Sequence, residues 1–207
     1  MRKNSKHKTK TDDVNVNKEI FIKGQIYKDV FSKKDLWTDL AELYDGEFKI
    51  KQTISKDINS FRLEIPYKNH NIILTETDTK PLKFETELKL NRKFEFNISW
   101  EDSIERVLKI FGKQDIKVGD KEFDKKYLIQ SNEPGLITNI LNYREISRIL
   151  LKHNIYLLTL EYNKKDEGHK LMTIKDRNTK KKEIMIELIN LEFSIIDFFI
   201  DNNLIRN

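Results

Sequence analysis

The chain of 207 residues contains no cysteine. Disulfides, thiolate metal centres and cysteine nucleophiles are thereby excluded, and a reducing compartment suits such a chain. Glycine is scarce too, with six residues, and none falls into a Gly-x-Gly-x-x-Gly, Gly-Lys-Ser/Thr or Gly-x-Ser-x-Gly pattern. The sequence therefore lacks the usual loops that cradle phosphate and the elbow that presents a nucleophilic serine. The four histidines, His7, His70, His153 and His169, fall in the tail, a turn, a helix end and a second turn. None has the His-x-x-x-His or His-Glu spacing that converges on a metal, so each reads as a surface histidine. No apolar run approaches the roughly 20 residues of a membrane span, and the basic N-terminus is not followed by an apolar stretch. These absences point to a soluble cytoplasmic protein with no cofactor, no metal and no recognisable catalytic centre.

Charge is abundant. Charged residues make up 35% of the chain and hydrophobic ones 38%, against a usual charged share of about a quarter. The net charge of +5 is concentrated at one end: Arg2, Lys3, Lys6, Lys8 and Lys10 occupy the first ten residues with no acid among them. Removing those five from 39 basic residues leaves 34, equal to the 34 acidic ones. The body is formally neutral, and only the tail, with Lys180, Lys181 and Lys182, is a candidate contact for nucleic acid or an anionic surface. Residues 1–18 are polar and aperiodic and read as a disordered basic tail; residues 19–207 read as one domain, with a candidate subdivision near residue 112.

Ser32-Lys33-Lys34-Asp35 has capping-box form, and Leu36, Leu40 and Leu43 follow at helical spacing, predicting a helix over 33–44 with Trp37 and Tyr44 as core anchors. The period then changes to two. Phe48 to Ile54, Phe61 to Tyr67, Ile72 to Thr77, Leu82 to Leu90 and Phe94 to Trp100 predict five strands joined by short links, hence antiparallel neighbours with one wet face of mixed sign. Ser99 to Asp102 repeats the capping pattern ahead of a helix ending at Gly112. Pro134 opens another, broken near Asn142–Glu145, and strands Ile155–Tyr162 and Lys170–Lys175 form a hairpin. The fold class is α+β: an antiparallel sheet of five or more strands, a helix–strand–helix–hairpin segment and a long apolar C-terminal helix.

That last helix, about 182–203, carries one narrow polar stripe of Glu183, Glu187, Asn190, Ser194, Asp197 and Asp201, read as its solvated edge. Almost all the rest is apolar. So wide an apolar face packs across the sheet, against a second copy, or against a partner; Phe193, Ile196, Phe198, Phe199 and Ile200 are the candidate interaction residues.

Lys117–Asn132 is the one segment resembling a signature. Asp115, Asp120, Glu122 and Asp124 place four carboxylates within ten residues. A calcium loop counted from Asp120 would need glycine where Lys125 stands and a bidentate acid where Ser131 stands. The reading is architectural instead: Gly119 and Asp120 in a turn, Phe123 as a core plug, Asp124 capping the turn through backbone N–H groups, and Tyr127 opening a strand. The run from Asp115 through Gly119-Asp120 and Phe123-Asp124 to Tyr127, followed by a helix around Leu141, resembles an uncharacterised bacterial domain. In that family the domain is the soluble cytoplasmic part of small predicted membrane proteins. The likeness spans residues 111–150 and implies a fold, with no catalytic role attached; the relatives' membrane helices have no counterpart here.

The function these readings predict is a non-catalytic cytoplasmic module that binds a protein partner or itself. The alternatives are an accessory protein touching nucleic acid or an anionic surface through its basic tail, and a hydrolase using Asp120, Glu122 and Asp124.

Overall fold

The computed structural model describes residues 25–53, 58–100, 115–175, 179 and 181–206. The alternating stretches become β1 (Glu47–Thr53), β2 (Ile58–Tyr67), β3 (His70–Thr77), β4 (Leu82–Leu88) and β5 (Phe96–Trp100). To these are added β6 (Tyr127–Ser131), β7 (Ile155–Asn163) and β8 (Gly168–Lys175). All eight form one antiparallel sheet in the order β1-β2-β3-β4-β8-β7-β5-β6, which places the chain in the α+β class.

β4 and β5 are not neighbours, contrary to what their short link predicts. The β7–β8 hairpin is inserted between them. The link is drawn away because it pairs with the chain's end: Asn91 N donates to Leu204 O at 2.9 Å and Arg206 N to Lys89 O at 2.7 Å.

One row of side chains crosses the inner face in register through all eight strands: Phe48, Leu63, Leu74, Phe84, Thr173, Leu158, Ile98 and Ile129. Thr173 is its only polar member. The opposite face bears the expected mixed charge on β2, β4 and β8, where Arg62 meets Glu64 at 2.9 Å and Lys83 and Lys170 both meet Glu85. It is not wet throughout, since Asn97, Ser99, Gln130 and Thr159 on β5, β6 and β7 are buried.

Helix α1 (Gln25–Leu43) packs on β1 and β2 through Trp37, whose ring lies 5.9 Å from Phe48 and 5.7 Å from Phe61. It begins before the expected start, so Ser32–Asp35 lies inside the helix rather than at its N-terminus; Gln25 to Phe31 contains no proline or glycine to interrupt it. The helix expected after Ser99 lies outside the described residues, as does Ile54. The described helix preceding β6 is the six-residue α2 (Lys121–Lys126), where the sequence predicts a turn. Then come α3 (Pro134–Asn142), a 3-10 turn at Tyr143–Glu145, α4 (Ile146–Lys152) and α5 (Lys182–Asp201). The break expected near residue 142 falls at that turn, where Arg144 and Glu145 adopt positive φ. Among the described residues no helix is long and apolar enough to cross a membrane.

Candidate functional site

The four carboxylates of the signature segment do not converge. Asp120 caps α2, accepting from Glu122 N at 2.9 Å and Phe123 N at 3.1 Å. Asp124 reaches back over the turn, accepting from Val118 N and Gly119 N at 2.9 Å each, while Asp115 pairs with Lys117 at 2.5 Å and Glu122 is exposed. Among the described residues no group of three or more His, Asp or Glu could hold a metal ion. Gly119 takes φ of 90°, a conformation that favours glycine. Phe123 is fully buried and stacks on Tyr127 with centroids 4.6 Å apart. The Tyr127 hydroxyl points to Leu150 O at 2.9 Å and Ile155 O at 2.7 Å, and burial pushes its pKa up to about 12. The Asp120 and Asp124 carboxylates brace backbone within the turn, and the Tyr127 hydroxyl ties β6 to the backbone of α4 and β7.

The candidate interaction residues of α5 also lie inside the molecule. Ile196, Phe198 and Phe199 are buried, and Ile200 is half-buried. Phe193 stacks on Tyr67 at 3.8 Å and meets Tyr44 edge-on at 5.7 Å. The apolar circumference that pointed outward is consumed by the sheet, α1 and α4, because all three pack around this helix. Among the described residues Leu43 is the one exposed large hydrophobic side chain.

The polar stripe of α5 is a solvated edge only in part: Glu183, Asn190 and Asp201 are exposed, whereas Asp197 is buried. Glu187 is 2.6 Å from both Lys152 Nζ and His153 Nε2, and Lys152 foremost holds its carboxyl below the usual range. Asp197 is buried and accepts from Tyr67 Oη at 2.8 Å, Lys68 Nζ at 2.7 Å and Arg144. Burial alone would raise its pKa, but those three donors outweigh burial and lower it. Asp201 takes the Tyr143 hydroxyl at 2.5 Å. His153 and His169 are likewise buried, contrary to the surface reading, and Nδ1 of His169 faces Leu90 N at 3.5 Å.

Of the basic candidates, Arg2, Lys3, Lys6, Lys8, Lys10 and Lys180 lie outside the described residues. Lys181 is exposed, whereas Lys182 is engaged by Asp39 at 2.8 Å.

Two features escaped the sequence reading. The first is a groove of about 1270 Å³ at the end of the sheet where the β2–β3 and β7–β8 turns meet the C-terminal residues. Its walls include His70, Glu87, Lys89, Glu161, His169 and Arg206. The side chains of Glu87, Lys89 and Glu161 make no hydrogen bond or ion pair among the described residues. Burial lowers the pKa of His70 against a bond to the Glu87 backbone. No sequence motif announces this groove, because its residues come from four separate segments.

The second feature is Glu192, fully buried on α5, with neither carboxylate oxygen hydrogen-bonded. Its signal was in the sequence: Leu188, Ile189, Ile195 and Ile196, three and four residues away on either side, are all apolar. Burial raises its pKa to about 7, with the Thr173 hydroxyl pulling slightly the other way although no bond of normal geometry forms.

No protein-family model matches the chain, and no curated protein does. Among solved structures, the fold is similar to that of the mycobacterial trehalose monomycolate transport factor A, TtfA. The TM-score is 0.51 at 8% identity, covering 80% of this chain and 93% of that one. At such identity the likeness concerns the fold alone.

Proposed function

We propose that the chain is a non-catalytic cytoplasmic module that binds a protein partner through the groove between the β2–β3 turn, the β7–β8 turn and residues 203–206. The observation that carries this reading is the coincidence of concavity with unspent charge. Elsewhere on the sheet much of the exposed charge is paired, Arg62 with Glu64 and both Lys83 and Lys170 with Glu85. Here Glu87, Lys89 and Glu161 face solvent unpaired around a cavity large enough for several residues of an extended chain. Free groups of both signs suit a polar peptide segment carrying both charges, and charge complementarity of this kind sets specificity and association rate. The buried aromatic residues of α5 support a partner site elsewhere than on that helix. The same proposal includes the relationship to the uncharacterised bacterial domain, and the absence of cysteine suits the cytoplasmic placement. What TtfA does in transport belongs to TtfA and is not carried over.

The test is an exchange of charge at the groove. The double variant K89E/E161K keeps the net charge and alters only unpaired groups, so thermal denaturation should match the parent chain. Co-purification of the partner from the native host should be lost. Unaltered co-purification by a folded double variant would overturn the assignment.

A further inference from the structure

We propose that Glu192, set against Thr173 in the inner face of the sheet, is an internal proton site that governs how tightly α5 seats. The core-facing line of α5 runs through Met185, Leu188, Glu192, Ile195 and Phe199, and all five are buried. Glu192 is the only polar group on that line. Opposite it, Thr173 is the one polar member of the row crossing all eight strands. Thr86 lies diagonally beside it, because Phe84 pairs with Thr173 and Thr86 with Leu171. Both hydroxyls are fully buried and unbonded. A carboxyl thus sits by the Thr173 hydroxyl, with a second unbonded hydroxyl on the neighbouring strand, in an otherwise apolar layer.

An unpaired carboxylate at such a place carries a heavy desolvation penalty, whereas the protonated acid has an O–H to donate and far less charge to desolvate. From the sheet it faces the neutral Thr173 hydroxyl, and the residue diagonal to Thr173 on β4 is the neutral Thr86. Among the described residues no charge on α1, α4, the 3-10 turn or the sheet perturbs it: burial and Thr173 account for its behaviour. Of the charges on those elements, Lys33 is engaged by Glu76, Asp39 by Lys182 and Arg144 by Asp197. No counter-ion is therefore in place when the proton leaves. Ionisation drives water into the layer or lifts α5 from it.

The sign follows from linkage. Folded chain retains this proton up to about pH 7, while unfolded chain loses it near pH 4.5, so seating weakens as pH rises through that window and then levels off. The experiment is a carbon-13 titration of the side-chain carboxyls in the intact chain, run beside amide hydrogen exchange of α5 from pH 5 to pH 8. Expected are a Glu192 carboxyl titrating near neutrality and α5 protection, corrected for intrinsic exchange, falling on the order of a hundredfold. E192Q should abolish that fall. A Glu192 carboxyl ionised by pH 5, α5 protection that ignores pH in the parent chain, or the same fall in E192Q would overturn the proposal. If E192Q does not fold, the titration of the parent chain decides.

Discussion

Asp197 of α5 accepts the Lys68 ammonium at 2.7 Å and thereby fastens the C-terminal helix to the β2–β3 turn. Tyr67 and Arg144 bond the same carboxylate, so one buried acid joins the helix to β2, the turn and the 3-10 break. Removing it in D197A leaves three donors without their acceptor, and about 2 kcal/mol of stability should be lost in urea denaturation at pH 7. Because its folded pKa lies below the ordinary carboxylate range, its contribution is full above about pH 4 and disappears as pH falls through the folded value. D197N should accordingly show a shallower acid loss than the parent chain.

Phe199 is fully buried, and its neighbour Phe198 nearly so. F199A should cost about 3–5 kcal/mol, seen as a lower urea midpoint, and a charge at either position should unfold the chain. Loss of binding in such variants would report loss of the fold, whereas a folded, fully stable F199D would contradict the placement of α5.

The turn before β6 rests on two carboxylates used as backbone acceptors. D120A removes the α2 cap and should lower stability by about 1 kcal/mol, and D124A by about 2 kcal/mol because two N–H groups lose their partner. Since both carboxylates are occupied in this way, calcium, magnesium or manganese should leave the melting temperature unchanged in a thermal shift assay.

What was legible in the sequence follows from how local each signal is. The period-two stretches place β1 to β5 because each strand turns its alternate apolar residues to the same layer. The short links also predict β1 to β4 as antiparallel neighbours, as observed; the insertion of β7 and β8 between β4 and β5 was not legible, since it goes with pairing between residues 89–91 and 204–206, more than a hundred positions apart. The capping box at Ser32 misled because a cap is a local preference and a continuing helix overrides it. Asp197 counted as a surface acid by its spacing, yet Tyr67, Lys68 and Arg144 approach it from distant segments. Glu192 was readable from its four apolar neighbours, and the groove was not readable at all.

Gly46 lies against the edge of β2, where an added Cβ would sit 2.7 Å from Glu64 O and 3.1 Å from Leu63 Cδ1. Backbone on one side and a core side chain on the other leave little room to yield. G46A should therefore cost about 1–3 kcal/mol, measurable as a drop in melting temperature, whereas G135A, which meets nothing within 4 Å, should not.

Glu192 and its two threonines predict a stability gain on substitution. E192L should stabilise the chain by about 3 kcal/mol at pH 8, where the parent carboxyl is ionised in the core, and by less at pH 5. Urea denaturation at the two pH values gives the comparison.

Photocrosslinking tests the groove as the partner site most directly. A photoreactive phenylalanine derivative is placed at Lys89, on the groove wall, or at Lys80, in the β3–β4 turn at the opposite end of the sheet, and the full chain is irradiated in its native host. A discrete adduct from position 89, absent from position 80 and lost when E161K is added to the position-89 chain, is the predicted result. Adduct formation from position 80 with none from position 89 would contradict it.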